Sequence, residues 1–346
     1  MVMKLLFISC IAILVCSCFS ASAQNSDRVF TGNPSEQYIQ KLDTAVVAKL
    51  SFTNNVKSFL IIDKGVPRYT IIPNNRNLLV LSGNYHWLSV MLFVAPRFLP
   101  GNNDDNRKGH SQSLRFSINT SFKQWSQDLT YAHVKGYYLG NTGDFNPGWR
   151  PGIDPYILFP NLVYSEISGQ TGYRFNKNFS YNALRSQTER QLRSAGSLTA
   201  SLGYSYYTIN DQTPLTGMNS SQGSKNLELI LSIGYYYNYV FKKHFYASAG
   251  INPGAGLLFS KLTTRLPSGD IETGFTSPVF RLENSYAIGY HNHRFFTGGQ
   301  VSLAVAGYNQ SHSSNGVFDT RLSFQLFAGY LFAESKKLKK LMNTIF

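Results

Sequence analysis

The chain has 346 residues, of which 43% are hydrophobic and only 14% are charged, and its formal net charge is +14. The aromatic share of 14% excludes a disordered chain, because disordered chains are poor in aromatic residues and rich in charge. After residue 24 no apolar run approaches the roughly 18 residues of a spanning helix, which excludes a polytopic helical membrane protein.

The amino terminus has the organisation of a secretory signal peptide over residues 1–23. Lys4 supplies the positive charge, residues 5–15 are apolar, and Ala-Ser-Ala at 21–23 is a small-residue cleavage pattern. All three cysteines lie in this segment, so the mature chain has no disulfide and no thiolate site. Lipid attachment at Cys18 is the alternative. Cleavage removes one lysine and no acid, which lowers the net charge from +14 to +13.

Alternation with a period of two residues dominates the rest of the chain. Between Leu227 and Phe241 the odd positions are Leu, Ile, Tyr and Phe, and residues 198–208 and 322–332 alternate in the same way. The polar face consists of Gly, Ser, Asn and Gln rather than the Lys and Glu of a solvated sheet, which indicates a wet lumen on one side and lipid on the other. These segments also exceed the roughly 5–6 residues of globular strands.

The predicted fold class is therefore all-β, a transmembrane antiparallel β-barrel of about 12 strands (range about 10–14). The domains are a signal peptide at 1–23, an N-terminal periplasmic segment at 24–43, the barrel at 44–332 and a basic C-terminal tail at 333–346. Short turns are expected in the periplasm and longer loops outside the cell. The predicted short turns are 83–85, 123–124, 242–244 and 290–293. The predicted long loops are 96–112, 138–161, 210–225, 262–273 and 310–318.

The segment 182–194 interrupts the strand pattern and is dense in charge. It predicts either a short helix or a polar strand end with lumenal ions. Within it, Arg185, Glu189, Arg190 and Arg193 could form an electropositive constriction, because rings of Arg favour the passage of anions. A structural ion network or a solvated periplasmic helix is the alternative.

Several local patterns resemble one family of outer-membrane proteins from Bacteroidota, the domain of unknown function 4421. They are Tyr69-Thr70-Ile71-Ile72-Pro73-Asn74, Tyr85-His86-Trp87-Leu88-Ser89, Gly136-Tyr137-Tyr138-Leu139, and Gln187-Thr188-Glu189-Arg190-Gln191 followed by Ser194-Ala195-Gly196-Ser197. The last block is the most specific, and the resemblance runs from about residue 40 to the last strand. It implies an outer-membrane barrel with a signal peptide and brings no known activity, substrate or functional residues.

One pattern resembles the His-x-Ser-Asn signature of outer-membrane lipid hydrolases. Residues i and i+2 of a strand share a face, so His312 could act as a base towards a nucleophilic Ser314. Ser-Ser-Asn-Gly at 313–316 is also ordinary turn composition, and the turn is the favoured interpretation.

Two further patterns could bind metal ions. His291 and His293 could hold a metal with a third ligand, although a polar turn explains them as well. Residues 102–106 are Asn-Asn-Asp-Asp-Asn, but they lack the spacing of a calcium loop and are interpreted as a solvated loop. We expect no metal and no cofactor.

Three functions follow in order of preference: a passive channel for small solutes or anions, an envelope-structural or surface-binding barrel acting through its long loops, and a lipid hydrolase. An enzyme is the less favoured class. The expected partners are outer-membrane lipid and lipopolysaccharide, whose phosphates attract a basic chain, and the barrel-assembly machinery. The expected state is a monomer, located in the outer membrane, that does not bind nucleic acid.

Overall fold

The computed structural model describes residues 38–42, 45–61, 67–216, 220–309 and 316–334, and the structural statements below concern these residues. They form strands and almost no helix. The strands are β1 (Ile39–Lys41), β2 (Ala45–Thr53), β3 (Phe59–Ile61), β4 (Tyr69–Ile72), β5 (Leu78–Tyr85), β6 (Leu88–Val94), β7 (Gln112–Phe122), β8 (Trp125–Leu139), β9 (Leu158–Arg174), β10 (Glu189–Gln191), β11 (Ala195–Asp211), β12 (Ser221–Phe241), β13 (Phe245–Leu266), β14 (Gly269–His291), β15 (Phe295–Asn309) and β16 (Gly316–Ala333). One helical turn, α1 (Asp105–Lys108), and a 3-10 turn at Thr142–Asp144 lie in loops.

Twelve of these strands close into an antiparallel barrel. The order around the ring is β2, β5, β6, β7, β8, β9, β11, β12, β13, β14, β15 and β16, and β16 pairs with β2 to close it. The short strands β3 and β4 attach to the end of β8, and β1 pairs with β10 away from the wall. The fold confirms the predicted all-β barrel of about twelve strands. Within the described ranges, no helix is long and apolar enough to cross a membrane.

The outer surface of the barrel is a belt of exposed apolar side chains. Alternation places every second residue of each strand outside, so that Leu231 is 68% exposed and Ile233 is 62% exposed. Large exposed apolar residues of this kind include Leu81, Leu202, Ile251, Leu257, Phe280, Ile288, Leu322 and Leu326. Aromatic side chains such as Tyr237 and Tyr239 border the belt, as expected at a membrane interface.

The two ends of the barrel differ in their connections. One end, here the turn end, carries the short turns between β5 and β6, β7 and β8, β12 and β13, and β14 and β15. The other, here the loop end, carries the longer connections. The predicted turns at 123–124 and 242–244 are confirmed, whereas two others lie slightly later, because β5 continues to Tyr85 and β14 to His291.

The predicted long loop at 262–273 is wrong. Strands β13 and β14 run through this region and meet at a tight turn, with Leu266 opposite Gly269. Most residues there are polar, with Leu262, Leu266 and Ile271 as the apolar exceptions, and residues 269–274 are all exposed. A two-stranded ribbon with water on both faces lacks the apolar alternation that identifies a strand in a sequence.

Near the turn end, aromatic rings lie directly over inward-facing glycines. A Cβ atom added to Gly329 would lie 2.1 Å from Cζ of Phe296, and one added to Gly250 would lie 2.2 Å from Tyr236. Such close approach requires glycine in the strand. The rings fill part of the lumen at this end.

Candidate functional site

The chain itself closes the lumen at the turn end. Residues 175–194, which connect β9 to β11, fold inward and place β10 against β1 in an antiparallel pair. We call residues 175–194 together with residues 38–42 the turn-end plug. The charged segment 182–194 is therefore mostly a series of turns with one short strand, rather than a helix or the end of a wall strand. Its strand partner comes from the distant amino-terminal part of the chain.

Polar contacts join the turn-end plug to several wall strands. The Arg185 guanidinium pairs with Asp128 of β8, and the Lys49 ammonium of β2 donates to the carbonyl oxygen of Arg185. Asn84 of β5 donates from Nδ2 to the carbonyl oxygen of Ser186 at 2.9 Å. The plug is thus bonded to neighbouring strands on one side of the ring and, through Asp128, to β8.

Further polar contacts reach the opposite wall. Asn238 of β12 donates from Nδ2 to the carbonyl oxygen of Ser180 at 3.0 Å. A cavity of about 10 Å³ lies beside this contact and is lined by Asn238, Arg190 and His291 among others. Oδ1 of Asn238 and Nε2 of His291 are buried and have no hydrogen-bond partner. A polar cavity of this size has room for about one water molecule.

An apolar cluster anchors one edge of the turn-end plug. Leu42 is buried together with Val47, Phe296, Phe327 and Leu331 on the inner face of β2, β15 and β16. The plug therefore has one apolar edge, while its remaining contacts include many hydrogen bonds and ion pairs.

Of the predicted constriction residues, Glu189 lies within the plug itself. Its carboxylate accepts a hydrogen bond from Oγ of Ser180 at 2.6 Å and lies 3.9 Å from Nη1 of Arg174. The carboxylate is therefore neutralised inside the plug and does not face an open passage.

The three predicted constriction arginines point to different places. Arg185 pairs with Asp128, Arg190 donates to the carbonyl oxygen of Lys243, and Arg193 is exposed with its guanidinium 5.8 Å from the ring centre of Tyr38. The structure brings these arginines into one plug but not into one ring. An electropositive constriction stays a prediction.

The exposed charges at the turn end are cationic. Seven lysines and arginines of the described chain are exposed there: Lys41, Lys123, Lys177, Arg193, Lys242, Lys243 and Arg294. No described carboxylate at this end is exposed, since Glu189 is buried and Glu334 is partly buried against the Tyr85 hydroxyl, which donates to it at 2.7 Å. This face therefore attracts anions.

A second segment crosses the lumen towards the loop end. Residues 54–59, here the loop-end crossing, leave β2 and reach the opposite wall, where Nζ of Lys57 lies 2.5 Å from Oε2 of Glu166 on β9. Phe59 then packs against Tyr137 and Tyr164 in tilted geometry, with 5.1 Å between ring centres in each case. Wall and crossing are thus joined by one buried ion pair and an aromatic cluster.

Between the turn-end plug and the loop-end crossing the lumen is lined by small and polar side chains. Inward positions of β11 to β15 include Ser201, Ser232, Gly254 and Ser302. Arg281 also faces inward and pairs with Glu228 at 2.9 Å, yet its side chain is 31% exposed, so the space around it in the lumen is wide enough for water.

The candidate calcium segment at 102–106 holds its carboxylates differently. Nε of Arg107 donates to Asp104 at 2.8 Å, and Lys108 lies 3.0 Å from the same carboxylate. Burial acts to raise the pKa of Asp104, but hydrogen bonds from these two cations lower it overall. Asp105 accepts a hydrogen bond from Asn74 at 2.9 Å. Side-chain partners from the protein therefore occupy both carboxylates.

The histidine candidates do not converge on a metal. His291 is buried, whereas His293 is exposed in the following turn. Among residues whose placement is described, no group of three or more His, Cys, Asp or Glu is arranged to hold a metal ion. His312 and Ser314 lie outside the described residues.

Several lumenal charges were missed in the sequence. Lys49, Asp128 and Glu166 all occupy inward positions of their strands, opposite to the apolar outward positions. A charged residue on the polar side of an alternating strand was the available signal, because such a residue must face the lumen. Lys57 gave no such signal, since it lies in an irregular connection.

The fold defines a transmembrane β-barrel whose described interior holds the turn-end plug and is crossed by residues 54–59 towards the loop end. The chain belongs to the family described as Domain of unknown function (DUF4421), whose model matches residues 33–332. This match confirms the family resemblance found in the sequence, while the Bacteroidota source stays a prediction. A comparison with curated proteins gives no match.

Solved structures similar to this chain are barrels of outer-membrane proteins. The outer membrane protease OmpT of Escherichia coli is 9% identical, with 84% of this chain and 95% of that chain covered and a TM-score of 0.36. OmpT of Vibrio cholerae is 8% identical, with coverage of 88% and 100% and a TM-score of 0.30. The translocator domain of the autotransporter NalP from Neisseria meningitidis is 8% identical, with coverage of 88% and 90% and a TM-score of 0.28.

Proposed function

We propose that this protein is a gated channel of the outer membrane that favours small anionic solutes. The turn end would face the periplasm and the loop end the exterior, in keeping with the usual lengths of connections in such barrels. The predicted signal peptide supports export to this membrane.

The observation that carries the proposal is the construction of the turn-end plug. It is a loop of the barrel bonded to the wall through polar contacts such as Arg185 to Asp128 and Asn84 to Ser186. Each hydrogen bond of this kind contributes only about 0.5–1.5 kcal/mol net, because water replaces it when the contact opens. Polar contacts of this kind can be exchanged for contacts with water, so the plug can leave the lumen while both ends of residues 175–194 stay attached to the wall.

The charge of the passage supports the preference for anions. The exposed cations at the turn end have no exposed carboxylate among them in the described chain, and Lys41, Lys177 and Arg193 belong to the plug itself. Rings and clusters of Arg and Lys favour anions in pores.

Conductance in a planar bilayer tests the proposal. The wild-type barrel should conduct in brief, rare openings, and a variant in which residues 178–192 are replaced by a short Gly-Ser linker should conduct continuously. A potassium chloride gradient should then give a reversal potential of anion-selective sign. A folded variant that lacks the plug and does not conduct would show instead that the barrel is a closed scaffold.

A surface-binding barrel is the second candidate, and two side chains favour it. Phe98 and Ile153, on the two longest loops of the loop end, are 77% and 65% exposed. Long loops held by a rigid scaffold often carry binding residues, and each of these two loops presents one large apolar side chain. Cross-linking on intact cells should capture a partner that is lost when both residues are changed to Ser.

The lipid hydrolase stays a prediction from the sequence, as do the barrel-assembly machinery and lipopolysaccharide as partners. Hydrolysis of phospholipid or lipid A by the purified barrel, abolished by Ser314→Ala, would support the hydrolase. A purified barrel inert towards both lipids would exclude it.

A further inference from the structure

The short turns at the turn end place lysines where the backbone disfavours them. Lys123, Lys242 and Lys243 have φ angles of 53°, 49° and 63°, and His86 has a φ of 51°. Residues other than Gly, Asn, Asp and His are uncommon in this left-handed region, so the three lysines are the unusual ones. Of the five described non-glycine residues with positive φ, these four lie in turns at one end of the barrel. Strained residues of this kind cluster at functional sites.

These lysines lie at the edge of the apolar belt. Phe122 and Trp125, which flank the first turn, are 67% and 55% exposed on the outer surface, and Nζ of Lys123 lies 5.3 Å from the ring centre of Phe122. Phe241 and Phe245 flank the second turn and stack on each other. Aromatic rings in this position mark the depth of lipid headgroups. The lysine ammonium groups are therefore at the level of lipid phosphates.

We propose that the turn rim, formed by Lys123, Lys242, Lys243 and Arg294, binds the phosphate headgroups of anionic phospholipids in the adjacent leaflet. Charge complementarity supports this occupant, because the rim carries only cations. Position supports it as well, because exposed aromatic side chains of the outer surface, Phe122, Trp125 and Phe245, flank the turns that carry the three lysines. Gly or Asn would fit these φ angles better than Lys. The presence of Lys has a physical reason if its positive charge binds the lipid phosphates.

The tryptophans of the chain provide the test. Trp87 and Trp125 lie at the turn end and Trp149 lies at the loop end. In a Trp149→Phe background, the barrel is reconstituted in phosphatidylcholine vesicles containing either brominated phosphatidylglycerol or brominated phosphatidylcholine. We expect stronger quenching of tryptophan fluorescence by the anionic lipid, and we expect this preference to fall as salt screens the charges.

The variant that tests the rim relieves strain rather than adding it. Lys123→Asn, Lys242→Asn and Lys243→Gly together place favoured residues at positive φ, so the fold should be retained or stabilised. The preference for phosphatidylglycerol should fall by about fivefold for each lysine removed, the factor expected for a lysine near an anionic surface. An unchanged unfolding temperature together with a lost preference would separate lipid binding from folding.

The matched control is Lys135→Asn, which removes an exposed lysine near the loop end of β8. It should leave the lipid preference seen by Trp87 and Trp125 unchanged. Equal quenching of the wild-type barrel by the two lipids would overturn the proposal. An equal loss in the control and the rim variant would overturn it as well, because net charge alone would then explain the preference.

Discussion

The two ends of this barrel use charge in opposite ways. At the loop end, cations and carboxylates come in pairs, such as Arg150 with Asp154 at 2.9 Å and Lys261 with Glu272 at 2.8 Å. At the turn end the exposed side chains of the described chain are cations without exposed carboxylates. Paired charges hold loops in shape, whereas charges of one sign create a field that acts on something outside the chain. The turn end is therefore where we expect solutes and lipids to be attracted.

The two glycines Gly329, at the turn end, and Gly274, at the loop end, also differ in how tightly they are packed. At the turn end, rings and the plug fill the lumen, and Gly329 lies under Phe296 with no space for a side chain. At the loop end, the ribbon of β13 and β14 stands in water, and the nearest atom to a Cβ added at Gly274 is 3.8 Å away. Glycine is thus required at position 329 and merely tolerated at position 274.

The largest expected effect comes from adding a methyl group at Gly329, and the same change at Gly274 serves as the comparison. Gly329→Ala should destabilise the barrel by about 1–3 kcal/mol, because the wall strands and the ring of Phe296 must move apart. Gly274→Ala should change stability by less than about 0.5 kcal/mol. Unfolding in urea, followed by tryptophan fluorescence in detergent micelles, measures both. Equal losses at the two positions would contradict the difference in packing between Gly329 and Gly274.

A smaller effect is expected from releasing the turn-end plug. Arg185→Ala leaves Asp128 facing the lumen without its cation, which costs about 1–3 kcal/mol for a fully buried partner. The Arg185 side chain is 35% exposed, so water screens the pair and we expect the lower limit. The open probability in a planar bilayer should then rise by about fivefold, since about 1 kcal/mol corresponds to that factor.

Two variants check this expectation. Arg185→Lys keeps the charge and should restore part of the wild-type closure. Arg150→Ala breaks an exposed ion pair at the loop end and should leave the open probability unchanged. If all three variants open alike, the plug is not held by the contact between Arg185 and Asp128.

The ion selectivity of the open channel should change by a still smaller amount when charges in the plug are reversed. Arg190→Glu with Arg193→Glu reverses two charges in the plug, so the reversal potential of the open channel should move towards cations in a potassium chloride gradient. Lys261→Glu, at the paired loop end, should cause no such movement. A reversal potential that is the same before and after the change in the plug would mean that the turn end is not the source of selectivity.

The barrel wall could be predicted from the sequence, because each face of a strand meets one solvent. Leu231 and Ile233 alternate with Ser232 and Gly234, and this pattern alone places lipid on one side and a wet lumen on the other. The turns at 123–124 and 242–244 followed from the same pattern. A strand count near twelve required only the number of such segments.

The contents of the lumen could not be predicted in the same way. The contact between Arg185 and Asp128 joins residues 57 positions apart, and that between Lys49 and Arg185 joins residues 136 positions apart. Alternation is a local property and contains no information on such pairs. The loop-end crossing was missed for a related reason, because a short irregular stretch that enters the lumen has the same composition as one that stays outside.

The smallest expected effect is the response of the loop end to low pH. Hydrogen bonds from the side chain and backbone of Arg150 lower the pKa of Asp154 to about 2 from its usual 3.8. A lowered pKa means that the ion pair stabilises the loop above about pH 3.8 and that this contribution is lost as the pH falls through about 2. The loop should therefore keep its shape at pH 3.

Trp149 reports this transition, since its indole nitrogen donates to the carbonyl oxygen of Pro155 at 2.9 Å beside the ion pair. In a Trp87→Phe and Trp125→Phe background, emission should shift only below about pH 2, the value to which the pKa of Asp154 is lowered. Asp154→Asn cannot titrate and should show no shift at that pH. The reciprocal background, with Trp149→Phe, reports the turn end, where no exposed carboxylate of the described chain is available to titrate. An acid transition of the same size there would mean that the turn end also depends on paired charges, and the contrast between the two ends would fail.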